Sequence, residues 1–357
     1  MVAPPDPGAP RCWFARSPGA PGEVLELRRR AARQPQRDEV RVRVLAAGLN
    51  FLDVLACRGD YPRQPPFPLP IGVELAGEVL AAGADSGLCC GARVLGIAPL
   101  PLGALAEELT VPAYLVHQVS AGVDVPALAL AALPVNYQTA HFALHRLGRL
   151  APGATVLVTA AAGGVGTATV QLAIAAGARV VALAGGAEKL MRCVAEGAAL
   201  ALDSGDDDVV EQVLEATGGR GVDIAVESVG GPSLGQALAC AAFEGRVVSV
   251  GASAGVPTVV EPSVLVARNV ALVGLSFGEH YPRRAPDLVA AVYDELLELL
   301  AAGRITPRIE AVPFEEVPLA LERLAGRRTT GKLVCPVHTE SHHTASVHNE
   351  PHHKGET

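Results

Sequence analysis

Residues Val156-Leu-Val-Thr-Ala-Ala-Ala-Gly-Gly-Val-Gly166 form an apolar strand that runs straight into a glycine-rich turn and then into a helix-forming stretch. Gly163 and Gly166 have the spacing of the last two glycines of a G-x-G-x-x-G fingerprint, and Ala161 takes the first place. Glycine there permits a tight turn, lets an anionic group approach the backbone, and lets helix and strand pack closely. The helix N-terminus beyond the turn offers unpaired N–H groups and the positive end of a dipole. The segment Ala162, Gly163, Gly164, Val165 and Gly166 is thus a candidate pyrophosphate cradle.

The pattern downstream makes that reading specific. Apolar strands at Thr155–Thr159, Arg179–Leu183, Leu200–Leu202, Val222–Val226 and Arg246–Val250 alternate with helical stretches at Gly164–Ala176, Ala187–Glu196, Asp206–Thr217 and Ser233–Ala241. Such alternation implies right-handed crossovers and a parallel sheet covered by helices. A further strand is expected at Val270–Gly274, helices at Asp287–Ala302 and Glu315–Leu324, and a last strand at Lys332–Cys335.

The flanks differ. From Glu39 to Thr110 the apolar segments are short and broken by Gly or Pro, as in Val40–Val44, Gly77–Leu80 and Ala92–Leu95. These read as a compact β-rich domain. Pro62 to Pro70 holds five prolines in nine residues and is an extended or turning loop. The chain's 357 residues suit two domains.

Net charge is −8, and the longest basic run is Arg28 to Arg30, which argues against nucleic-acid binding. No run approaches the roughly 18 apolar residues of a membrane span. Seven scattered cysteines read as reduced thiols. A cytoplasmic enzyme is expected. Arg11 and Arg16, with no acid between Asp6 and Glu23, leave mitochondrial import as the alternative. Residues 338–357 hold six of the ten histidines and little that is apolar, and are expected to be a disordered tail.

The type of dinucleotide follows from the second strand, which ends Val181-Ala-Leu-Ala-Gly-Gly186 without the acid that NAD-binding units place there. Lys189 follows closely and can meet a 2′-phosphate as a point charge. With Gly185 beside it, NADP(H) is the expected cofactor.

Several motifs together resemble the zinc-free quinone oxidoreductase branch of the medium-chain dehydrogenase/reductase superfamily. They are Ala47–Asp53, Arg58–Tyr61, Gly72–Gly77, Leu133–Thr139, Ala160–Gly166, Gly219–Asp223 and Thr330–Lys332. Within it the chain looks most like the quinone oxidoreductase-like protein 2 group of animals. The resemblance runs from about Val24 to Val337. It implies an α/β protein in which a Rossmann domain, residues 135–270, is inserted in a GroES-like β-barrel catalytic domain, residues 1–134 and 271–337. It also implies a homodimer, with Val270–Leu275 as the candidate edge.

By the same resemblance Asn50 and Tyr61 line the catalytic pocket, Tyr137 and Thr139 touch the cofactor where the chain enters the Rossmann domain, and Gly251 and Ala252 pass the nicotinamide. Lys332 is expected at a cofactor phosphate or plainly at the surface. As residues alone, Asn50 is equally a helix cap and Tyr61 equally a packing residue. Zinc-dependent members carry a catalytic Cys where Asn50 stands and Gly-His-Glu where this chain has Gly72-Val73-Glu74. No metal is therefore expected.

The function these expectations define is hydride transfer from NADPH to a small electrophilic acceptor, a quinone or an α,β-unsaturated carbonyl. A 2-enoyl thioester reductase and a cofactor-binding protein with little catalysis, crystallin-like or RNA-binding, are the alternatives.

Overall fold

The computed structural model describes residues 7–30, 33–256 and 258–338; the histidine-rich tail beyond 338 lies outside the described residues. The proline- and glycine-rich start conceals a hairpin, β1 (Arg11–Ala15) and β2 (Leu25–Arg29). Next comes β3 (Glu39–Gly48), whose alternation buries Val40, Val42 and Val44 on one face.

The barrel continues through β4 (Leu69–Pro70), β5 (Glu74–Ala82), β6 (Arg93–Ile97), β7 (Glu108–Pro112) and β8 (Val116–Gln118). A long excursion follows: β9 (Thr155–Val158), β10 (Arg179–Ala184), β11 (Leu200–Asp203), β12 (Val222–Glu227), β13 (Ala241–Ser249) and β14 (Ala271–Gly274). The chain then returns to the barrel as β15 (Ile309–Ala311) and β16 (Lys332–Pro336).

The excursion is one parallel sheet in the order β11-β10-β9-β12-β13-β14. Every residue of β9 is buried. Val156 and Val158 face one apolar cluster, and Leu157 faces another on the opposite side of the sheet. Such a strand must be central in a doubly covered sheet. Strand order reverses between β9 and β12, and open sheets of this kind bind ligands beyond the strand ends at that point.

The barrel sheet runs β15-β16-β3-β5-β6-β8. One edge of β3 pairs with β5, and the other is shared between β7 and β16. The last strand among the described residues therefore completes a sheet begun by the first third. This is the expected architecture, a Rossmann fold inserted in a GroES-like barrel.

Two local expectations change, and one helical segment falls outside them. Ala271–Gly274 pairs in parallel with β13, so the boundary expected after residue 270 falls one strand early. The helix expected from Asp206 spans Val209–Ala216, with the three aspartates in the turn before it. A helical run over Ala127–Leu147, which lacks polar alternation, carries wide turns at Leu133–Tyr137 and Phe142–Leu147.

The glycine-rich turn has the geometry its composition demands. Gly163 caps the helix Gly164–Ala175. A Cβ on Gly166 would lie 2.3 Å from the Ala160 carbonyl oxygen and 2.6 Å from the Ala161 Cα, both backbone atoms that cannot swing away. Ala160 adopts φ 46°, a left-handed conformation that costs an L-residue about 1–2 kcal/mol.

Gly166→Ala is expected to lower unfolding stability by about 1–3 kcal/mol through overpacking. Ala160→Gly is expected to leave it unchanged or raise it by up to about 1 kcal/mol. Urea denaturation of both variants checks the pair.

Candidate active site

Asn50 begins the helix Phe51–Arg58 at the end of β3, and its backbone N–H donates to Asp53 Oδ2 at 2.8 Å. Its Nδ2 donates to Glu74 Oε1 at 2.6 Å, and Oδ1 accepts from Lys332 Nζ at 2.7 Å. Lys332 also donates to Glu74 Oε1, closing a buried triangle of amide, carboxylate and ammonium. Glu74 Oε2 accepts from the backbone N–H of Val135 at 2.8 Å.

The backbone is shaped to admit this cluster. A Cβ on Gly48 would lie 2.3 Å from Glu74 Oε1 and 2.8 Å from Lys332 Cε, so only glycine fits there. Pro134 has no N–H and cannot sit in a regular helix interior, which opens the wide turn that points the Val135 N–H at Glu74. Asp53 is wholly buried and also accepts from Gly72 N at 3.2 Å. Burial pushes its carboxyl up to about 7, and Glu74 pushes in the same direction. The Asn50 and Gly72 N–H groups and the Lys332 ammonium oppose the rise.

The glycine-rich turn meets this cluster across the domain seam. Gly331, just before Lys332, donates its N–H to the Ala162 carbonyl at 2.8 Å. The Asn136 carboxamide lies against Gly164, close enough that a Cβ there would sit 2.3 Å from Nδ2.

At the strand ends, the loops after β12 and β13 interlock. Ser253 N donates to Ser228 O at 3.2 Å, Ala254 N to Val229 O at 2.8 Å, and Ala252 packs on Gly230. Beneath them Glu227, fully buried, accepts from the N–H groups of Val229 at 2.8 Å and Gly230 at 2.9 Å. A carboxylate so placed holds the loop by charge-assisted bonds. At the tip of β10, Gly186 N donates to Asp203 Oδ2 at 2.8 Å, and Gly205 N to its other oxygen at 3.0 Å. These two bonds, Gly205 first, hold the Asp203 carboxyl below its ordinary range.

The comparisons with known proteins converge on one family. Residues 36–121 match the alcohol dehydrogenase GroES-like domain family, and residues 164–295 match the family described as zinc-binding dehydrogenase. Quinone oxidoreductase-like protein 2 of Bos taurus is 36% identical over 85% of this chain and 86% of its own. The homolog from Nematostella vectensis is 35% identical over 83% and 81%. The chain belongs to the quinone oxidoreductase branch of the medium-chain dehydrogenase/reductase superfamily. It also superposes on the Escherichia coli quinone oxidoreductase complexed with NADPH, with a TM-score of 0.85, 27% identity, and coverage of 91% of this chain and 99% of that one. It is thus an oxidoreductase by descent.

The structure places the expected site residues unevenly. Asn50 and Lys332 meet, and Ala162–Gly166 stand across the seam from them. Lys332 is buried with its ammonium on Asn50 and Glu74, so it is not a plain surface lysine. Tyr137 is buried, and its hydroxyl donates to Gln171 Oε1 at 2.7 Å, bracing the helix behind the turn. Thr139 is buried in the entry helix, and Tyr61 lies half-buried in the loop after Gly59. Gly185, Gly251 and Ala252 are exposed at the strand ends. Lys189 Nζ donates to the Arg327 carbonyl at 2.7 Å, beside the exposed Arg327 and Arg328.

Glu74, Asp53, Asn136 and Glu227 escaped the sequence reading. The Gly72–Gly77 motif already contains Glu74, and an acid inside a run of buried residues is its signal.

Because Asp53 is raised from 3.8 to about 7, its ionisation is disfavoured in the fold. Its contribution to stability is full below the unfolded value and declines as pH rises through this window. Asp53→Asn is expected to flatten the pH dependence of the melting temperature between about pH 4 and 7. Thermal scans across that range check it.

Proposed function

We propose that the protein transfers hydride from NADPH to quinones or α,β-unsaturated carbonyls without zinc. The observation that carries the zinc-free part is the donor set. Asn50 holds the position of the catalytic cysteine, and its carboxamide is engaged by Glu74 and Lys332. Val73 replaces the histidine before Glu74. An amide bonded to an ammonium and an apolar side chain do not suit a cation that seeks thiolate and imidazole. Among the described residues, five of the seven cysteines are buried, and the exposed pair, Cys89 and Cys90, lies on the β5–β6 connection.

The turn fits a dinucleotide. Only glycine is tolerated at 166, and the N–H groups of Gly164–Gly166 in the first turn of the helix face outward for a pyrophosphate approaching over Ala162 and Gly163. Gly185 leaves the tip of β10 open, and Lys189 with Arg327 and Arg328 supplies positive charge for a 2′-phosphate. Thr139, Gly251 and Ala252 flank the nicotinamide end, and Tyr137 supports the turn from behind.

When bound, NADPH supplies the hydride. The protein's part is to orient the acceptor between the two domains, with Asn50 as hydrogen-bond donor and Tyr61 at the pocket wall. Without a Lewis acid to polarise a simple carbonyl, conjugated acceptors are favoured because they delocalise the incoming charge.

The homodimer is proposed on β14, an edge strand with half-exposed Ala271, Leu272 and Val273 that leaves backbone groups open to pairing. Sedimentation showing only monomer at micromolar concentration refutes it.

The deciding assay follows NADPH oxidation with quinones, enones and enoyl thioesters, repeated with NADH and with a chelator. Turnover of quinones or enones that a chelator leaves unchanged is expected. Preference for enoyl thioesters moves the protein to the thioester reductases, and binding without turnover makes it a cofactor-binding protein. Lys189→Ala is expected to raise KM for NADPH about tenfold, a loss of about 1.4 kcal/mol, and to leave KM for NADH unchanged.

A further inference from the structure

Glu74 is fully buried, and both of its oxygens are committed. Oε1 accepts from Asn50 Nδ2 and Lys332 Nζ, and Oε2 accepts from Val135 N. Each of these partners leads somewhere. Asn50 is the candidate pocket residue. Lys332 follows Gly331, whose N–H holds the Ala162 carbonyl of the glycine-rich turn. Val135 precedes Asn136, whose carboxamide lies on Gly164 of the same turn. One carboxylate thus touches the pocket residue directly and reaches the cofactor turn by two paths, each passing through one adjacent residue.

The same bonds fix which way the Asn50 amide faces. Its oxygen meets an ammonium and its nitrogen meets a carboxylate, so a flip would set like groups against each other at both ends. One Nδ2–H is spent on Glu74, and the second carries no bond to protein among the described residues. It is the one donor the amide has left to offer.

We propose that Glu74 is a positioning residue that locks the Asn50 carboxamide with its second N–H presented to the reactants, and keeps that donor in register with the turn holding the cofactor. The proposal rests on the oxidoreductase reading above. Lys332 is the counter-charge that makes the buried carboxylate tenable. A fixed donor matters because a misplacement of about 1 Å at a reacting centre costs on the order of a hundredfold in rate.

Glu74→Gln is nearly isosteric but removes the charge that orients both neighbours. It is expected to lower kcat about tenfold to a hundredfold, with KM for the acceptor changed less than about threefold. The double variant Glu74→Gln/Lys332→Met removes both buried charges. It is expected to regain most of the melting temperature lost by Glu74→Gln, but not its kcat. If kcat returns with stability, the pair is merely structural and the proposal fails.

A second readout needs neither cofactor nor turnover. The side-chain amide resonances of Asn50, assigned through Asn50→Asp, are expected to shift and exchange faster in Glu74→Gln while those of Asn269 stay in place. Unchanged Asn50 signals overturn the proposal whatever the activity. A wild-type protein with no turnover on any acceptor sinks the functional reading instead, and the resonances still judge the positioning.

Discussion

The ion pair between Glu74 and Lys332 joins residues 258 positions apart in the chain and is buried at both ends. Two charges taken out of water are tolerable only when their remaining hydrogen-bonding capacity is also met. That requirement explains features that otherwise look unrelated. Gly48 lacks a side chain because the pair occupies the space, Pro134 opens a helix so that Val135 can donate, and the Asn50 amide bonds both charges. Removing one charge alone would strand the other, at a cost of about 3–5 kcal/mol.

Around this node the two domains divide the work. The parallel sheet is dense and apolar on both faces, so the loops at its strand ends are held by a stiff base. Those loops are tied further by acids, with the buried Glu227 under the turn after β12 and the more open Asp203 beside the glycines after β10. The barrel contributes one polar cluster and otherwise a hydrocarbon interior. The segment from Arg327 to Lys332 crosses between them, accepting from Lys189 at one end and donating to Ala162 near the other.

Much of this was legible in the sequence where a local rule decides. The run from Thr155 to Val250 announces itself because period and punctuation agree over five successive units. The entry helix was not legible: Ala127–Leu147 contains a proline and buries Asn136, Gln138, Thr139 and His141 among its apolar residues, so neither periodicity nor caps mark it. The N-terminal hairpin was masked by the glycines and prolines of its own connection. Single residues divide in the same way. Gly166 could be assigned from spacing, because its role is steric and local. The direction of the Lys332 ammonium could not, because its partner Glu74 lies in a distant strand and burial leaves no mark on a lone lysine. Tyr137 shows the reverse: it stands in a recognisable motif, yet its hydroxyl serves Gln171.

The insertion of one domain within the other also has a consequence for assembly. A chain emerging from the ribosome exposes β3 with the Ala46–Gly48 end of one edge vacant, because its partner β16 is made only after the whole parallel sheet. The sheet, being contiguous in sequence, can fold as a unit while the barrel waits. Until Lys332 arrives, the Glu74 carboxylate has no cation beside it, and water must fill that role. Closure of the barrel, neutralisation of its interior and docking of the seam onto the glycine-rich turn are therefore a single late event, contributed by β16.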